Sequence, residues 1–218
     1  MRRVNPPPVT SLLALTPFTL RVLPWRLLAV TAGLGPLLAA VPRVTDAAPS
    51  PWQTVNLLRA AALLYALGLA FVLDDPARHT TATVPTGRAL RTWLRLALVA
   101  PLTVVWWAAT LLAVPGEFRP PVGDVTLEAG AACAVALAGA AVAVRLSQAS
   151  RPGRQVASAV LLTALLTPLF LPDDWPLFPA PGTPEWPPAH THWTYILTTT
   201  TLILTRYTPE RPPHRRAT

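Results

Sequence analysis

Few side chains in this 218-residue chain could do chemistry, and their spacing limits what that chemistry would be. His190 and His192, in the stretch Ala189-His190-Thr191-His192-Trp193, would face one way on an extended segment and could hold a metal. Two ligands with no third in reach do not complete a metal site, so both read as solvated loop histidines. Asp173 and Asp174 follow Pro172 with no base in the same segment, and adjacent loop acids of that kind face water. Cys133 is the single cysteine, so neither an internal disulfide nor a cysteine metal framework can form. No Gly-x-x-x-x-Gly-Lys-Ser/Thr run occurs, and a chain without lysine cannot supply a P-loop lysine. Gly-x-Ser-x-Gly and His-Glu-x-x-His are also missing. The expectation is a protein that is not an enzyme, with no catalytic set, cofactor or metal.

The elements that carry these residues are apolar. Hydrophobic residues make up 52% of the chain and charged ones 13%, about half the ~25% usual in soluble domains. That balance excludes disorder for most of the chain, and 27 prolines exclude one long coiled coil. Six apolar runs have their cores at Leu27–Val41, Ala60–Leu73, Leu96–Val114, Ala129–Val144, Val156–Leu171 and Thr194–Thr205. Only the third approaches the ~20 residues that cross a bilayer unaided. The others need extension by Trp, Thr, Tyr or a snorkelling arginine such as Arg26 or Arg59. Thr198, Thr199, Thr200 and Thr201 dilute the sixth run, but a threonine hydroxyl can bond the carbonyl one turn earlier. The six cores contain no Asp, Glu, His or Lys, which argues against a proton-coupled carrier. The small residues from Gly130 to Ala141 in the fourth run fit either internal packing or a subunit interface.

All 18 basic residues are arginine, a composition that resembles the product of a GC-rich genome and says nothing of nucleic acid. Their placement is informative. With the N-terminus inside, fifteen arginines fall in cytoplasmic segments and only Arg43, Arg59 and Arg119 fall outside. The positive-inside bias therefore predicts an all-α, polytopic integral membrane protein with six transmembrane helices and both termini cytoplasmic, in the cell membrane. Residues 1–23 read as a tail and interfacial segment (Ser11–Leu23 in the headgroups), 24–207 as the six-helix domain, and 208–218 as a basic cytoplasmic tail.

Two loops stand out. The cytoplasmic stretch Asp74–Thr92 places Asp74, Asp75 and Arg78 ahead of a threonine-rich run and then Arg88 and Arg91. Asp75-Pro76 is a helix stop, and Thr86 could cap the helix that enters the third span. The outer stretch Pro172–Trp193 is rich in proline and reads as a bent, non-helical element, with Trp175, Phe178, Trp186 and Trp193 suited to the interface belt.

This layout resembles the permease subunits of bacterial ATP-binding-cassette exporters. The local strings Leu67-Gly68-Leu69-Ala70-Phe71-Val72-Leu73-Asp74-Asp75-Pro76-Ala77 and Pro176-Leu177-Phe178-Pro179-Ala180-Pro181-Gly182 look like members of that group. The resemblance implies a separately encoded ATPase partner, a homo- or heterodimer of membrane domains, and export of an unidentified cargo; core walls without charge are compatible with an apolar or amphiphilic one. It implies that Asp74, Asp75, Arg78, Arg88 and Arg91 seat the ATPase, and that the loop bearing Trp175, Phe178, Trp186 and Trp193 helps form the outer gate. The rival expectation is a non-transporting accessory or self-protection membrane protein.

Overall fold

The structure is a computed structural model that describes residues 19–45, 48–74, 88–146, 151–172 and 175–208. Six long helices account for most of them: α1 Trp25–Val44, α2 Pro51–Leu69, α3 Arg88–Ala113, α4 Val122–Leu146, α5 Gly153–Phe170 and α6 Trp186–Tyr207. A short 3-10 turn, Gly116–Phe118, links α3 to α4. Most of the headgroup segment Ser11–Leu23, the residues Asp75, Arg78, Thr86, Asp173 and Asp174, and the tail beyond Thr208 lie outside the described residues.

Local chemistry sets the helix ends. Ser50 opens α2 with a reciprocal cap: its hydroxyl accepts from the Gln53 amide at 3.2 Å, and its own amide donates to Gln53 Oε1 at 2.9 Å. Pro51 follows at the first helical position, where a missing N–H costs nothing. The same logic corrects the reading of Pro172–Trp193. Pro187 and Pro188 occupy the first turn of α6, so they start a helix where the sequence suggested a bend, and the irregular segment ends at Glu185. Trp186, His190, His192 and Trp193 are therefore helical residues. Further along α6, the hydroxyls of Thr194, Thr198 and Thr200 bond the carbonyls of His190, Thr194 and Ile196, one turn earlier.

Side-chain contacts show the helices running in alternating directions. Arg95, early in α3, donates to the carbonyls of Val72 and Asp74 just past α2, while Tyr65 stacks on Trp106 higher up. Arg43 at the end of α1 donates to the carbonyls of Leu112 and Val114 at the end of α3. Arg145 at the end of α4 reaches the carbonyls of Arg206 and Tyr207 at the end of α6. One end of the bundle, the basic end, gathers Arg91, Arg95, Arg145, Arg151, Arg154 and Arg206; the opposite end holds the 172–185 loop.

Four helical segments are long and apolar enough to cross a membrane: Trp25–Val44, Ala89–Ala113, Val122–Leu146 and Gly153–Phe170. Helices α2 and α6 fall short of that measure. Helix α2 packs against α1, α4 and α5, with Thr54, Val55, Leu58, Ala61, Tyr65 and Leu69 buried. The small-residue stretch resolves into internal packing where it is enclosed: Ala129, Cys133, Ala136, Ala140 and Ala141 belong to the main core, and α4 packs against α2, α5 and α6.

Candidate functional site

Three helices enter the bundle from the end opposite the basic one and bring one ionisable residue each to a common place. At 1.5 Å per residue, Arg59 lies about 12 Å from the start of α2, Glu128 about 9 Å into α4, and His190 about 6 Å into α6. All three side chains are almost fully enclosed. Arg59 grips Glu128 with both arms of its guanidinium: Nε to Oε2 at 2.6 Å and the second nitrogen to Oε1 at 2.8 Å. Such a fork-to-fork contact fixes both partners in one plane. The remaining guanidinium nitrogen donates to the Pro179 carbonyl at 3.3 Å.

His190 completes the group. Its Nδ1 lies 2.7 Å from the Trp186 carbonyl, and its Nε2 lies 3.1 Å from Glu128 Oε1. Aromatic rings roof the cluster: the Arg59 guanidinium sits 5.5 Å from the Phe178 ring centre and 5.8 Å from that of Trp186. Trp186 is itself held by Asp124, whose carboxylate accepts from the indole N–H at 2.7 Å. Trp193 meets Phe178 edge to face and donates to the Leu177 carbonyl at 2.9 Å, so the 172–185 loop is tied down on α6. Trp175, more exposed, stacks on His192 at 4.2 Å.

No protein family, curated protein or solved structure matches this chain.

The four aromatic residues expected at the outer loop are thus brought together, although two of them belong to α6. The two histidines do not form a pair: His190 turns into the cluster and His192 turns to Trp175. Among the described residues no group of three His, Cys, Asp or Glu is placed to hold a metal. Arg59 does not snorkel, because a carboxylate within reach inside the bundle draws it inward. The apolar cores do lack acids, but α4 and α6 begin before those cores and carry Glu128 and His190 inside, which removes the premise against proton chemistry.

The charged loop after α2 is only partly described. Asp74 turns toward the protein, where its carboxylate accepts from the Gly153 amide at 2.8 Å and so caps the start of α5. Burial raises its pKa above the usual carboxylate range, against the pull of the Gly153 bond, Arg151 and Arg95. Arg91 is half-buried in the first turn of α3. Glu128, Asp124 and Arg95 were not singled out by the sequence, although matching depths of Arg59 and Glu128 from one end of the bundle were a usable signal.

Proposed function

We propose that this chain is the membrane-spanning subunit of a transport system, a permease of the ATP-binding-cassette exporter type that acts with a separate ATPase. In this reading all six helices cross the cell membrane, the basic end is cytoplasmic, and the 172–185 loop is the outer gate. The observation that carries the reading is that side-chain ties between the first three and the last three helices lie near both ends of the bundle. α1 packs on α2 and α3, α4 packs on α5 and α6, and the sets meet where α2 faces α4 and α5. The Arg59–Glu128–His190 cluster ties them beneath the loop, and the Asp74–Gly153 bond ties them at the basic end. Joints of this kind can open one at a time, which is what alternating exposure of a pathway requires. The placement of fifteen of the 18 arginines supports the orientation. The cargo is of an apolar or amphiphilic class, matching walls made of Ala, Leu, Val and Thr.

Two experiments test this reading. In a Cys133→Ala background, Glu185→Cys is expected to react with an impermeant maleimide on intact cells and Arg88→Cys only after permeabilisation. The opposite pattern would invert the topology. Affinity purification in mild detergent is expected to recover an ATP-binding-cassette ATPase in stoichiometric amount, and charge reversal at Arg91 to reduce that recovery without loss of membrane insertion. Recovery of the intact protein with no ATPase would favour the accessory-protein alternative.

A further inference from the structure

His190 is confined to two protonation states by its partners. A carbonyl oxygen can only accept, so the 2.7 Å contact with Trp186 requires a proton on Nδ1. Nε2 then lies 3.1 Å from Glu128 Oε1, yet it makes no aligned hydrogen bond with a described residue. With a neutral ring, two acceptors face each other where the histidine is 8% exposed and the glutamate 4%. One added proton removes that conflict wherever it resides. On Nε2 it gives an imidazolium beside a carboxylate; on Oε1 it gives a neutral acid facing the ring. Either form places the proton on one of two atoms that lie 3.1 Å apart.

We propose that Glu128 and His190 form a binding site for one proton, taken up from the side of the 172–185 loop, and that this proton alters how the loop is held. The charged groups around the pair are few. Arg59 faces it from α2 and keeps its charge throughout. Asp124, one turn earlier on α4, is engaged by the Trp186 indole, and Glu185 at the head of α6 is exposed. Arg59 transmits the change, because it shares the Glu128 carboxylate and its other contacts, the Pro179 carbonyl and the Phe178 ring, belong to the loop. When the proton engages Glu128, less of the carboxylate's charge serves Arg59, and the guanidinium leans more on the loop. The inference goes beyond the proposed function and does not depend on an ATPase partner.

The test is nuclear magnetic resonance on the full-length protein in detergent micelles, labelled at histidine rings and glutamate carboxyls, between about pH 5 and 9. The His190 ring and Glu128 Cδ signals are expected to move through one shared midpoint. His190→Gln identifies the ring signal, and His190→Asn, whose amide can still donate to the Trp186 carbonyl, serves if the first variant does not fold. In a Cys133→Ala background, the maleimide reaction rate of Pro184→Cys is expected to change at the same midpoint. Signals from His190 and Glu128 that stay constant, or that move at unrelated midpoints, would overturn the proton site. A labelling rate indifferent to the shared midpoint would overturn its coupling to the loop.

Discussion

Replacing Glu128 with leucine is expected to destabilise the protein by about 3–5 kcal/mol, the usual result of stranding one member of a buried ion pair. Arg59 would keep only the Pro179 carbonyl and two aromatic faces, with 11% of its side chain exposed. The double replacement Arg59→Met with Glu128→Leu is expected to recover most of that loss, since the desolvation of both charges disappears together. Unfolding by denaturing detergent, followed by helix content, measures all three proteins on one scale. Equal stability of the single and double variants would mean that Arg59 reaches water once released. A double variant as stable as the wild type would mean that folding does not need the pair's charges.

The six apolar cores each fall within or against one helix, because a run of aliphatic residues must be buried or face lipid in any arrangement. Helix beginnings were harder to read. The first two turns of α4 and α6 contain Asp124, Glu128, His190 and two prolines, and hydropathy takes such residues for loop. Whether Arg59 points outward or inward depends on a glutamate 69 positions later, and no local window contains that fact. The charge bias shows the same division. Its three exceptions, Arg43, Arg59 and Arg119, all have internal work: Arg43 and Arg119 donate to carbonyls at the end of α3, and Arg59 pairs with Glu128. Cations at a helix C-terminus offset its unpaired carbonyls and its dipole. Arg95 and Arg145 at the basic end are engaged with carbonyls in the same way, so engagement is common to both ends. Of the residues expected to seat an ATPase, Asp74 is engaged internally with Gly153, a role that no spacing in its own loop announces.

That second joint supports an equally definite expectation. A methyl group at Gly153 would lie 2.8 Å from both Asp74 Oδ2 and Phe71 Cδ1, and 3.0 Å from the Phe71 backbone. The carboxylate could swing aside, but the backbone could not, so Gly153→Ala must push α5 away from the end of α2. The expected cost is about 1–3 kcal/mol, as for other overpacked sites. Gly130→Ala is the matched control: nothing lies within 4 Å of its added carbon, and replacing a mid-helix glycine should stabilise by about 0.5–1 kcal/mol. Thermal unfolding in detergent should therefore move in opposite directions for two identical chemical changes. Asp74→Asn separates charge from contact at the same joint, since the amide oxygen can still accept from Gly153. Because burial raises the Asp74 pKa in the folded protein, its protonated form favours folding, and that contribution fades as pH rises through the raised value. Wild type should thus lose stability relative to Asp74→Asn on passing from acidic toward neutral pH. A difference that stays flat with pH would mean that the Asp74 carboxyl has the same pKa folded and unfolded, and would place the strength of the joint in the close approach of Gly153 to Phe71.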